Sequence, residues 1–135
     1  MRKALQIWLV IFGAGSTLIA LSHLFWGTAT IIGGGEVNAT IDSDLRFYSV
    51  LFAAYGLAYI WCAKDVETKA VPINLLGAIF FVGGLARFLS IAAVGLPHVF
   101  YIVMIPVELI VPALNYYWAE AVRNEQRSVQ PQHAE

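Results

Sequence analysis

The sequence predicts an all-α membrane protein, four transmembrane helices in an antiparallel up-down bundle, and three observations predict it. Apolar residues make up 59% of the 135-residue chain and charged residues 13%, where soluble domains carry about 45–50% and 25%. The mean hydropathy is +0.71. About 80 apolar residues, divided by the ~20 that one crossing helix needs, supply roughly four crossings and leave nothing for a separate soluble domain.

The first span is expected over about 5–27, where Gln6 and His23 are the only side chains more polar than Ser or Thr. Met1-Arg2-Lys3 followed by an apolar run also resembles a signal peptide. The run is longer than an ordinary signal core and Ala20-Leu21-Ser22 is a poor cleavage site, so an uncleaved anchor is the expectation. The polar stretch 28–44, with Gly33-Gly34-Gly35, Glu36, Asn38, Asp42 and Asp44, breaks both helix and hydropathy and reads as the longest connection. A second span follows over about 45–63. The charged turn 64–69 leads to a third span over about 71–94, and Gly95-Leu96-Pro97-His98 turns the chain into a fourth over about 99–122. Residues 1–122 thus form one transmembrane domain, and 123–135 are expected as a polar cytoplasmic tail without fixed structure.

Orientation follows from the basic residues. Arg2, Lys3, Lys64, Lys69, Arg123 and Arg127 fall on one side of this arrangement, whereas the other carries Glu36, Asp42, Asp44 and Arg46 at a helix start. The positive side stays in the cytoplasm, so both termini are expected there. Trp8, Trp26, Trp61 and Trp118 each lie near a span end, where an amphipathic ring prefers the headgroup level. Asn38-Ala39-Thr40 matches a glycosylation acceptor, a pattern common by chance and without meaning in a bacterium.

Other classes are excluded on composition. A net charge of −1 with eight scattered basic residues gives no patch for nucleic acid. The single Cys62 forms no internal disulfide and supports no dithiol chemistry. There is no Glu-x-x-His, no His-x-x-x-His and no nucleophile motif, so no catalytic residue, metal or cofactor is assigned; a haem held by His23 and His98 and a metal site both lack the spacing. The Gly33-Gly34-Gly35 run lacks the strand and helix of a phosphate loop.

Helical spacing sorts each span into faces. Small or polar stripes run through Ser16, Ala20, His23 and Gly27 in the first span, and through Arg46, Ser49, Ala53 and Gly56 in the second, beside aromatics Tyr48, Phe52, Tyr55 and Tyr59. The third lines up Asn74, Gly77, Gly84 and Arg87, and the fourth Tyr101, Met104, Glu108, Pro112 and Asn115. Small residues permit close approach of helices in lipid, so these faces are expected inside the bundle.

Arg87 and Glu108 need a separate explanation, because an uncompensated charge in hydrocarbon costs several kcal/mol. Arg87 lies eight residues before Gly95 and Glu108 ten after His98, which at 1.5 Å per residue places both about 12–15 Å from the same turn. Equal depth on adjacent antiparallel helices predicts an ion pair. His23 and Arg46 approach from the same half, so all four are expected in one polar cluster, with Asp42 or Asp44 above it. Pro112 cannot donate to the carbonyl of Glu108, so a kink and a free acceptor are expected there.

The runs Asp44-Leu45-Arg46-Phe47-Tyr48, Gly83-Gly84-Leu85-Ala86-Arg87 and Pro106-Val107-Glu108-Leu109 resemble a family of small bacterial membrane proteins known as a domain of unknown function. The likeness covers nearly the whole chain. It implies the four-span architecture, a bacterial inner membrane, and that Arg46, Arg87 and Glu108 stand at the family's characteristic polar positions. It implies no reaction.

Three functions remain. The first is a binding or accessory module whose cavity, lined by His23, Arg46, Tyr48, Tyr55, Arg87 and Glu108, holds a lipid, quinone or similar amphiphile. The second is a subunit of a larger membrane complex or a homo-oligomer, using small-residue surfaces such as Gly13 with Thr17 and Ala54 with Ala58. The third, ranked last, is an enzyme or proton-coupled transporter in which Glu108 exchanges a proton.

Overall fold

A computed structural model describes residues 1–129. It consists of α1 (Arg2–Trp26), a 3₁₀ turn (Gly27–Thr30), α2 (Ala39–Ala63), α3 (Ala70–Val94) and α4 (Val99–Val129). All four helices are long and apolar enough to cross a membrane. They run antiparallel in the cyclic order α1, α2, α3, α4. Met1, the 64–69 turn and the end of α4 share one end, called here the termini end; 27–38 and the 95–98 turn share the other, the loop end.

Two boundaries differ from expectation. α2 begins at Ala39 instead of about residue 45, because Asn38 caps it by accepting a hydrogen bond from the Ile41 N–H (3.0 Å), and Asp42 stands in its first turn where the helix dipole favours an acid. The residues placed in the connection, Asp42 and Asp44, are therefore helical. α4 continues past 122 to Val129: Glu120 and Arg123 pair one turn apart, and Gln126 donates to Glu67 of the 64–69 turn. The rest of the expected tail, 130–135, lies outside the described residues.

The pattern is that of a soluble protein turned inside out. Leu18, Phe47, Val82, Leu89, Val103 and Tyr117 are exposed, while Ser16, Ser49, Glu108 and Asn115 are buried. α1 and α2 pack along most of their length, backbone against backbone. A β-carbon at Gly13 would stand 2.5 Å from the Gly56 carbonyl oxygen, and one at Gly56 would stand 2.6 Å from the Gly13 carbonyl oxygen. The Thr17 hydroxyl donates to the Gly13 carbonyl (2.8 Å). Gly13 and Thr17, expected on an oligomer surface, are thus used up within the first hairpin.

The termini end is closed. Leu5, Leu9, Tyr59, Cys62, Val66, Ile73, Ala119 and Val122 form its core. Side-chain hydrogen bonds tie every neighbouring pair of helices there: Gln6 Nε2 to the Ala63 carbonyl (3.0 Å), Tyr55 Oη to the Leu76 carbonyl (2.9 Å), Asn74 Nδ2 to Glu120 (3.0 Å) and Trp8 Nε1 to Asn115 Oδ1 (2.8 Å). Burial leaves such groups no water to fall back on, so the ring holds the four helices in register.

Candidate functional site

Away from that ring an opening lies between α2 and α3, and among the described residues no side-chain hydrogen bond joins the two helices on the loop-end side of Tyr55. The opening is a cleft of about 430 Å³ lined by Leu51, Phe52 and Tyr55 of α2, Ile79, Phe80, Gly83 and Arg87 of α3, and Glu108 of α4. Its volume falls within the usual range for small-molecule sites. Helical spacing places these residues: Phe80, Gly83 and Arg87 stand three and four residues apart on one face of α3, as Leu51 or Phe52 and Tyr55 do on α2.

Arg87 and Glu108 form a two-pronged pair at the back of the cleft. Nε donates to Oε2 and Nη2 to Oε1, both at 2.6 Å, the fork geometry in which guanidinium and carboxylate bind most strongly. The pair is asymmetric. The Glu108 side chain is 7% exposed and that of Arg87 34%, so the carboxylate is covered by the hairpin while the guanidinium faces the cleft. Its Nη1 makes no hydrogen bond among the described residues, leaving a donor available. Arg87 also lies over the Tyr101 ring, 5.4 Å from its centroid.

The pair can form because the helices approach closely. A β-carbon at Gly84 would stand 3.0 Å from Glu108 Cβ, and one at Gly77 would lie 3.5 Å from Pro112. Pro106 and Pro112 stay within a continuous α4. Phe52, Tyr55 and Phe80 build an aromatic wall: Phe52 and Tyr55 rings lie 6.2 Å apart at 28°, and Tyr55 and Phe80 lie 6.3 Å apart at 32°.

Of the residues singled out from the sequence, the structure brings Tyr55, Arg87 and Glu108 to the cleft and leaves His23, Arg46 and Tyr48 outside it. Arg46 belongs to a separate clasp at the loop end. Its Nε donates to Asp42 Oδ2 (2.7 Å) and its Nη1 to the Leu24 carbonyl (2.7 Å), while Asp42 Oδ1 accepts from the Thr28 N–H (3.1 Å). Gly27, at φ 61°, has no room for a β-carbon beside Asp42, so the clasp closes around the turn that ends α1. His23 bonds the Thr30 hydroxyl in the same turn. The single polar cluster expected from depth is thus two clusters, one per hairpin: the clasp sits at the end of α1, nearer the loop end than the Arg87–Glu108 pair, and a shared half of the bundle does not bring side chains on different hairpins together. Tyr48 lies two turns nearer the loop end than Tyr55 and is exposed beside Phe47. Phe52, of the aromatic stripe read from the sequence, also lines the cleft, whereas Leu51, Ile79, Phe80 and Gly83 are site residues that the sequence reading does not single out, although the spacing of Phe80 and Gly83 from Arg87 marks the shared face.

Two other features bound the site. The 31–36 loop passes against the 95–98 turn, where a β-carbon at Gly33 would stand 2.9 Å from His98 Cβ, so the hairpins touch again at the loop end. A second groove of about 560 Å³, at the termini end, is lined by Met1, Trp8, Leu114, Tyr117, Trp118 and Ala121. It has no charged side chain to orient a ligand. Among the described residues no group of three or more His, Cys, Asp or Glu stands close enough to hold a metal ion.

The family described as Domain of unknown function (DUF4345) has a sequence model that matches residues 4–119, and the chain belongs to that family. No curated protein and no solved structure matches the chain.

Proposed function

We propose that this family member is a membrane-embedded binding or accessory module that receives an amphiphile through the cleft between its hairpins. The observation that carries the reading is the half-open Arg87–Glu108 pair: a guanidinium whose charge is already balanced, with a donor left free on a side chain that lines an apolar, aromatic-walled space. The cleft opens sideways between α2 and α3, the direction from which a molecule dissolved in lipid arrives. Exposed apolar side chains on all four helices support a membrane setting. The gathering of Arg2, Lys3, Lys64, Lys69, Arg123 and Arg127 at the termini end supports a cytoplasmic position for it, in a bacterial inner membrane.

Gly83 supplies the test. A β-carbon there meets nothing within 4 Å, so a larger side chain grows into the cleft without touching the helix interfaces. Native mass spectrometry of the protein extracted in its own lipids is expected to show a small added mass on the wild type and none on Gly83→Leu, with the variant's thermal midpoint unchanged or raised. The same added mass on both proteins removes the cleft as a binding site.

A further inference from the structure

We infer that the cleft takes an uncharged, flat ring bearing a carbonyl, the head of an isoprenoid quinone, and not the anionic head of a phospholipid. The inference rests on the cleft being a binding site and names the class of molecule it accepts.

Charge is the first argument. Both forks of the Arg87–Glu108 pair are closed, so the site as built is neutral. An anion bound at Nη1 would leave two negative groups around one guanidinium in surroundings of low dielectric, where like charges repel strongly. A neutral acceptor meets no such opposition. One carbonyl oxygen satisfies Nη1 and asks nothing of Glu108, which has only acceptors to offer while ionised.

Shape is the second. Phe52 and Tyr55 are inclined by 28° and Tyr55 and Phe80 by 32°, a run of adjoining aromatic rings against which a flat head can stack. A branched phosphoglycerol head has no such face. The Tyr55 hydroxyl is committed to the Leu76 carbonyl, so the donor available in the cleft is on Arg87.

Depth is the third. Glu108 stands nine residues into α4 and Arg87 eight before Gly95, which at 1.5 Å per residue sets the pair about 12–14 Å from the loop end. Phospholipid heads stay at the boundary of the hydrocarbon, whereas a neutral ring on an isoprenoid chain travels within it. The lateral opening between α2 and α3 then lets the chain trail into lipid past Leu51 and Ile79.

The experiment titrates delipidated protein in detergent with decylubiquinone or with dioleoyl phosphatidylglycerol, read by native mass spectrometry. One decylubiquinone per wild-type chain is expected, undiminished by the phosphatidylglycerol. Arg87→Lys keeps the positive partner of Glu108 and loses the fork, so its affinity for decylubiquinone is expected to fall about tenfold. Gly83→Leu should bind neither compound. If phosphatidylglycerol is the stoichiometric adduct and Gly83→Leu loses it, the inference is overturned while the cleft stands as a lipid site. If decylubiquinone binds equally to wild type and Arg87→Lys, the assigned donor is wrong. Adducts that persist unchanged in Gly83→Leu overturn both readings.

Discussion

The two hairpins solve the same problem by different means. In the first, glycine carbonyls face glycine α-carbons across α1 and α2, and Ser16, Ser49 and Ala20 fill what is left. In the second, Gly77 and Gly84 bring α3 and α4 together, but the contact finishes on the Arg87–Glu108 pair. Lipid gives apolar helices no reason to associate, so a helix pair needs either close backbone approach or polar groups that satisfy each other. Close approach consumes the interface completely. A charge pair leaves a guanidinium edge facing outward, and the second hairpin is where the cleft has its polar wall.

The largest expected effect breaks the second hairpin and spares the first. Arg87→Met leaves Glu108 buried without its partner, a situation that costs about 3–5 kcal/mol when both groups are enclosed. Because a third of Arg87 is exposed, the low end of that range, about 3 kcal/mol, is expected for loss of stability against denaturant in detergent. The double variant Arg87→Met with Glu108→Met removes both charges and is expected to recover most of the loss. If the double variant is as unstable as the single, something other than an orphaned carboxylate is responsible.

The next effect breaks the first hairpin. Gly56→Ala adds a single methyl where the Gly13 carbonyl and Thr17 already stand inside contact distance, so α1 and α2 must move apart at a cost of about 1–3 kcal/mol. Gly13 and Gly56 are not among the residues that line the cleft, and the retention of a cleft ligand should survive. A Gly56→Ala protein of unchanged stability would mean that the backbone contact does not hold the hairpin.

The contrast also shows what a sequence like this one discloses. Hydropathy finds the four helices because 20 apolar residues in a row have few other fates. Counting along the 95–98 turn places Arg87 and Glu108 at one level, and in the structure they meet. Depth is countable, but azimuth is not. His23 and Arg46 lie in the same half of the bundle as the pair, yet the tight packing of α1 on α2 turns them to Leu24, Asp42 and Thr30. Which hairpin packs tightly depends on where Gly13 meets Gly56, a contact between residues 43 apart (56 − 13) that no local pattern displays. The start of α2 was legible in principle: Asn38 followed by Asp42 is a capping signal, outweighed in the reading by the polar character of 28–44.

Gly15 gives the smallest and cleanest comparison. It sits two residues from Gly13 on α1, but a β-carbon there meets nothing within 4 Å. Gly15→Ala therefore loses no contact and gains the backbone entropy that glycine forfeits in a helix, about 0.5 kcal/mol of stability. Set beside Gly56→Ala, it separates the two things a glycine does in such a helix, since the methyl is the same and only the facing surface differs. A stabilised Gly15→Ala with a destabilised Gly56→Ala places the first hairpin's cohesion in the contact between α1 and α2. Equal losses in both would trace it to the flexibility of the glycines themselves, and the contrast with the charge-paired hairpin would then rest on chain stiffness and not on packing.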